Sequence, residues 1–187
     1  MPPKQIYQKE TILQEARNLV TEKGWDSLSA RSLATRIGSS TQPLFSCFKN
    51  MAEIQDSIKN DVSDKLISDL EKCKDIKTYS LTLLKFTSDF PNWFLVILDG
   101  PSSIAFLKDT IDKNSLRLTK KISSETSLNI DESNVVFLEN WIFSYGLSSL
   151  IAKKIIPYNK NAMESLIESE YESSISASKK SGSKNKR

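Results

Sequence analysis

Residues 29–49 read S-A-R-S-L-A-T-R-I-G-S-S-T-Q-P-L-F-S-C-F-K. The stretch divides at Gly38 into two short helical segments joined by a tight turn, the layout of a helix-turn-helix reader of DNA. Ser29 and Ser40 stand where an N-cap belongs, one before each segment. Leu33, Ala34 and Ile37 form one inward face, and Leu44 and Phe48 form another. Pro43 falls in the first turn of the second segment, where the missing N–H has no helical acceptor to lose, which leaves Ser40 to cap through Gln42. With Leu44 and Phe48 inward, Gln42, Phe45, Ser46 and Lys49 fall on the opposite side. Gln42 can bind the N6/N7 edge of adenine, and Thr41 can touch a base edge or a thymine methyl. Both lie in the first turn, where a recognition helix meets the base pairs.

Outward from this stretch, Ile12, Ala16, Leu19 and Val20 recur at helical spacing within a segment from about Gln5 to Lys23. Gly24 is its left-handed stop. On the other side a helix begins near Met51, with Ile54, Ile58, Val62, Leu66 and Leu70 repeating every four residues.

Composition narrows the function. The 187 residues are 39% hydrophobic and 26% charged, with five Gly and six Pro, an ordinary globular balance that favours an all-α chain. No apolar run is expected to reach the ~18 residues of a membrane span, and the N-terminus lacks the apolar core of a signal peptide. Cys47 and Cys73 are isolated, so neither a disulfide framework nor a zinc site is expected, and a reducing cytoplasm fits. With no His, a Ser-His-Asp triad is impossible. Phosphate-loop and dinucleotide motifs are also missing, so the chain reads as a non-enzyme without cofactor or metal. Residues 1–50 hold seven Lys/Arg against four acids, while residues 51–171 hold fourteen against eighteen. A basic front on an acidic body suits an N-terminal reader of a polyanion.

The front end closely resembles the tetracycline-repressor (TetR) family of bacterial transcription regulators. Ala16, Leu19, Gly24, Leu28, Ser29, Leu33, Ala34, Gly38, Ser40, Leu44, Phe45, Phe48, Lys49 and Asn50 match in order and at the family's spacing. The resemblance implies a three-helix DNA-binding domain on a helical ligand-binding and dimerisation domain, with a homodimer on double-stranded operator DNA and release by a small molecule. It implies phosphate contacts from Ser29, Arg31 and Lys49, base contacts from Thr41 and Gln42, and packing of Pro43 on sugar or thymine methyl. Ser40 and Phe45 complete the expected DNA-binding set. Four positions depart from the pattern: Ser39 replaces an aliphatic residue, Phe45 a Tyr, Cys47 a common His, and Met51 a common Lys. The Phe45 change forgoes a phosphate hydrogen bond of about 1 kcal/mol. Residues 37–48 carry no positive charge, which leaves a protein-interaction module with weak or no DNA binding as the competing reading.

In the body, Phe86, Phe90, Trp93, Phe94 and Phe106 concentrate aromatic surface around a helix started by Pro91 and broken at Gly100-Pro101. With Trp141 and Tyr145 they are the expected wall for an apolar effector; core packing is the alternative. A helix is expected from about Asp131, which with Ser133 would cap its start. Val135, Leu138, Ile142, Tyr145 and Ser149 share one of its faces. Asn140–Leu150, N-W-I-F-S-Y-G-L-S-S-L, resembles a C-terminal signature within the same family, with Tyr145 where His is usual. Gly146 in mid-helix, about 1 kcal/mol worse than Ala, points to close approach by a ligand or partner helix. Pro157 ends that helix, and Met163, Leu166, Ile167, Tyr171 and Ile175 mark a last one. Two such helices from each copy would make a four-helix dimer interface. The expected organisation is therefore a DNA-binding domain over 5–65, a ligand-binding and dimerisation domain over 66–175, and a disordered basic tail over 176–187.

Overall fold

A computed structural model describes residues 8–101 and 103–184, with side chains described through residue 180. The described residues form nine α-helices and one 3-10 turn, with no strand among them. The chain divides into two compact units, Met1–Lys65 and Leu66–Arg187.

In the first unit, α1 (Lys9–Lys23) buries Ile12, Leu13, Ala16, Leu19 and Val20 along one stripe. The expected beginning at Gln5 lies outside the described residues. Gly24 takes φ +83°, and its N–H closes the helix on the carbonyl of Val20. A 3-10 turn, Trp25–Ser27, leads to α2 (Ala30–Arg36). Ser29 caps α2 in a reciprocal box: it accepts from the N–H of Ser32, and the Ser32 hydroxyl accepts from the N–H of Ser29. Leu33 and Ala34 are buried and Ile37 half-buried. Gly38, at φ +69°, makes the turn possible; a Cβ there would meet no atom within 4 Å, so only the backbone requires glycine.

The next helix, α3 (Gln42–Cys47), is six residues long. Its N-cap is Thr41 and not Ser40, and no side chain caps it. Thr41 is already in the right-handed helical region, so the turn tightens one residue later than the Ser40 pattern suggests. The Ser40 carbonyl is itself an acceptor, for the Ser39 hydroxyl at 2.8 Å. Six residues cannot hold a helix in water. Leu44, fully buried, and Phe48, at 2% exposure, hold this one. The chain then enters α4 (Met51–Glu71), whose Glu53 N–H donates to Asn50 Oδ1 at 3.0 Å.

In the second unit, α8 (Ile130–Ala152) is central and touches α5 (Ile76–Asp89), α6 (Pro91–Ile97), α7 (Ser103–Thr126) and α9 (Lys160–Lys184). Leu84, Ile151, Met163 and Ile167 form a core cluster between α5, α8 and α9. Asp75 caps α5 through Thr78, and Asn129 caps α8 through Glu132, both in reciprocal boxes. Asn129 takes the role expected of Asp131 and Ser133; Ser133 is instead fully buried.

Two expectations for this unit are corrected. By length and composition α8 is apolar enough to cross a membrane, contrary to the reading that no segment is. It packs here as the central helix of a bundle. Its inward seam is also polar: Ser133, Asn140, Ser144 and Ser148 are fully buried beside Val136 and Phe137. Small hydroxyl side chains let neighbouring helices come close, whereas Val135, Leu138 and Ile142 point outward. Finally, the segment expected to be disordered from 176 is helical through Lys184. Tyr171, Ser174 and Ser178 are buried along one stripe, and no proline interrupts the helix. Extending an existing helix needs no new nucleus. Residues 185–187 of the expected tail lie outside the described residues.

Candidate nucleic-acid interface

Burial of Leu44 and Phe48 turns the other side of α3 to solvent. Thr41, Gln42, Phe45, Ser46 and Lys49 are all exposed, Phe45 at 46%. Ser40 is exposed as well and Pro43 is half-buried. The first turn therefore presents a hydroxyl and an amide side by side, both able to donate and accept. Phe45 adds an apolar surface and no charge.

Lys49 follows α3, and its backbone N–H donates to Glu53 Oε2 at 2.7 Å. The other carboxylate oxygen of Glu53 pairs with Lys9 Nζ at 3.3 Å. The Lys9 ammonium also lies 4.7 Å from the centre of the Phe48 ring. The bond from Lys49, and then Lys9, hold the Glu53 carboxyl below its ordinary range. Lys9, Lys49 and Glu53 thus leave one net positive charge where the chain leaves α3. Neither Lys9 nor Glu53 is legible as part of this site from apolar periodicity. The Asn50-x-x-Glu53 spacing, a capping pattern, is the signal that reaches Glu53.

A second cationic surface lies at the start of α2. Ser29 and Arg31, both exposed, border a 470 Å³ groove together with Lys23, Ser32, Thr35 and Arg36. The charge of Arg36 is committed: its guanidinium binds Glu15 at 2.6 Å and both oxygens of Glu22 at 2.6 and 2.7 Å. The bonds to Glu22 and Glu15 push the Arg36 pKa further up, and Arg36 holds the Glu22 carboxyl below its usual range. Arg36 is thus a brace between α1 and α2. Lys23 joins Ser29 and Arg31 in the groove, although its place at the end of α1 marks it in the sequence only as a helix-terminal cation.

The seven aromatic residues expected to wall a ligand pocket are dispersed within the second unit. Trp93 and Phe94 are buried, at 2% and 0% exposure. Phe86 and Phe90 form a tilted pair 5.7 Å apart, and Phe106 is half-buried. Trp141 and Tyr145 stack at 5.5 Å, and Tyr145 meets Phe94 at 5.8 Å. The Tyr145 hydroxyl lies 3.0 Å from the Leu98 carbonyl, to which it donates, and 3.3 Å from Asp99 Oδ1. Burial, then Asp99, pushes its pKa up. A 420 Å³ groove in this unit is lined by other residues, among them Thr87, Pro91, Ile151, Lys154 and Tyr158, and by none of the seven.

No sequence profile of a known protein family matches the chain, and no curated protein sequence matches it. The fold has a solved counterpart. A Vibrio parahaemolyticus protein assigned to the TetR family of transcriptional regulators superposes with a TM-score of 0.58 at 17% identity. The match covers 89% of this chain and 97% of the other. What the two chains share at that identity is an all-α fold.

Proposed function

We propose that this chain is a DNA-binding transcriptional regulator that acts as a homodimer on a palindromic operator and is released by a small molecule. The observation that carries the reading is the exposed face of α3. A six-residue helix anchored by Leu44 and Phe48 turns Thr41, Gln42 and Ser46 outward, with Lys49 following it. The fold shared with a TetR-family protein supports it. In this reading Gln42 and Thr41 read base edges, while Ser29, Arg31, Lys49 and Lys23 meet phosphate. One such helix spans too few base pairs for a specific site, so a second copy is required.

The outward face of α8 supports dimerisation. Leu138, Ile142 and Leu150 are exposed at 45%, 56% and 38%, along the same stripe as Gly146. A Cβ on Gly146 would meet nothing within 4 Å. Leu166 on α9 is exposed as well. An apolar stripe interrupted by glycine suits a helix from a second copy, and removing it from water drives association. In this reading the effector is a small apolar molecule held by the second unit, where Trp141 and Tyr145 stack at 5.5 Å.

Selection of duplexes from a random pool by the full-length protein tests the reading. An enriched inverted repeat, bound with steep salt dependence, is the expected result. Exposed Phe45 and the absence of any cation from 42–47 favour a protein partner instead. Recovery of no preferred duplex at low salt would favour that reading.

A further inference from the structure

The 420 Å³ groove of the second unit is walled by the end of α5, the first residue of α6 and the turn that leaves α8. That turn closes α8 with two backbone bonds. The N–H of Ile155 donates to the Leu150 carbonyl and that of Lys154 to the Ile151 carbonyl, both at 2.9 Å. The pattern places Lys154 in the left-handed region, at φ +57°. Glycine is the ordinary residue there, because a Cβ crowds the following carbonyl oxygen. A lysine at this position therefore costs stability. The helix end has a cation without it, at Lys153, where φ is an unstrained −80°.

Lys154 is exposed, and its ammonium has no hydrogen-bond or ion-pair partner among the described residues. The cations around it are committed. Lys153 pairs with Asp99 at 2.7 Å, and Lys85, which lies near Tyr158, is held by both oxygens of Asp89 at 2.8 and 2.6 Å. Lys154 thus brings one uncompensated positive charge to the groove. Ser88 and Tyr158 add two hydroxyls that make no hydrogen bond among the described residues. Much of the remaining lining is apolar: Pro91, Ile151, Ile156 and Ile155, the last 64% exposed. Ile155 stands where such a turn ordinarily packs an apolar side chain back on the helix, yet it stays open to water. An apolar wall with one free ammonium and two hydroxyls complements an amphiphilic monoanion. A phosphate, with nearly two charges, would meet a single cation and no guanidinium fork.

We propose that this groove binds an aliphatic carboxylate, with its head on Lys154, Ser88 and Tyr158 and its chain along Ile151, Ile155 and Ile156. The site goes beyond the effector reading above, since neither Trp141 nor Tyr145 lines it, and it requires neither DNA nor the first unit. Use of the ammonium in binding is what the backbone strain at Lys154 serves. The chain lies open to water on one side, so each methylene should add about twofold in affinity, half the effect of full burial.

The test titrates sodium octanoate into the full-length protein with isotope-labelled isoleucine methyls, at constant ionic strength. The methyl resonances of Ile151, Ile155 and Ile156 should shift saturably, and that of Ile142, exposed on the outward face of α8, should not. Hexanoate should bind about fourfold more weakly than octanoate, and neutral 1-octanol about fivefold more weakly. Lys154→Gly should weaken octanoate binding about fivefold and yet raise the melting temperature of the free protein by about 2–4 °C. A lysine that only closes the helix would not couple lost binding to raised stability. No saturable shift at the three methyls, an equal shift at Ile142, or equal octanoate affinity in parent and Lys154→Gly would each overturn the site. If Lys154→Gly does not fold, Lys154→Gln decides on the same affinity ratio. The readout contains no DNA, so its failure is distinguishable from failure of the regulator reading, which duplex selection tests.

Discussion

Leu44→Ala isolates the anchor of α3. Leu44 is fully buried and is the buried residue of that helix. Truncation removes three carbon atoms from the interior, roughly 2.4 kcal/mol at about 0.8 kcal/mol per methylene. A residual void of about 30–50 Å³ adds roughly 1 kcal/mol, for a total of about 3–4 kcal/mol. The unit Met1–Lys65, at about 0.05–0.15 kcal/mol per residue, has only about 3–10 kcal/mol to lose. Hydrogen exchange of the full chain, read segment by segment by mass spectrometry, measures the effect. Amides of α1 to α3 that exchange by unfolding of the first unit should exchange about 100- to 1000-fold faster, since 1.4 kcal/mol is a factor of ten. Phe45→Ala, at an exposed position, should change exchange little. Acceleration below about tenfold for Leu44→Ala would refute the claim that this side chain secures α3.

Other perturbations separate the remaining elements. Ile142→Glu places a charge on the outward stripe of α8; the parent should sediment as a dimer and the variant as a monomer of unchanged helix content. A parent that is monomeric at micromolar concentration would contradict the dimer. Glu53→Gln tests the network at the exit of α3. Because the Lys49 N–H and Lys9 hold the Glu53 carboxyl below its ordinary range, its ionised form stabilises the fold above the unfolded value near ~4.3. That contribution is lost as pH falls through the lower folded value. The variant should therefore melt below the parent at pH 7, with the gap closing below about pH 4. A gap that does not vary with pH would show that the carboxylate charge is not what matters.

Much of the first unit is legible because its signals are local. The Ile12–Val20 stripe, the positive φ at Gly24 and Gly38, and the Ser29 cap each follow from a few neighbouring residues. Ser40 misleads because Ser-Ser-Thr offers three successive hydroxyl residues, and only backbone conformation selects Thr41. The α8 face is legible only in part, for a different reason. Apolar periodicity finds the stripe of Val135, Leu138 and Ile142, but periodicity alone does not say which face is interior. Serines and Asn140 fill the inner seam, and the apolar stripe is left outside. The Arg36–Glu22 brace and the Lys9–Glu53 pair join residues 14 and 44 positions apart. No spacing rule reaches across such separations. The aromatic residues of the second unit show the same limit: composition detects their concentration, and the three-dimensional packing divides them between core and partly open positions.

The central claim is that α3 reads duplex DNA. Its most direct test is the affinity of Gln42→Ala and Lys49→Ala for a selected duplex and its single-base variants, measured across a range of salt. Gln42→Ala should lose about 1–3 kcal/mol on the selected duplex and cease to discriminate at one base pair. Lys49→Ala should weaken binding to every duplex alike and lower the salt slope by about one. Binding of both variants indistinguishable from the parent, in affinity, base preference and salt slope, would contradict the account.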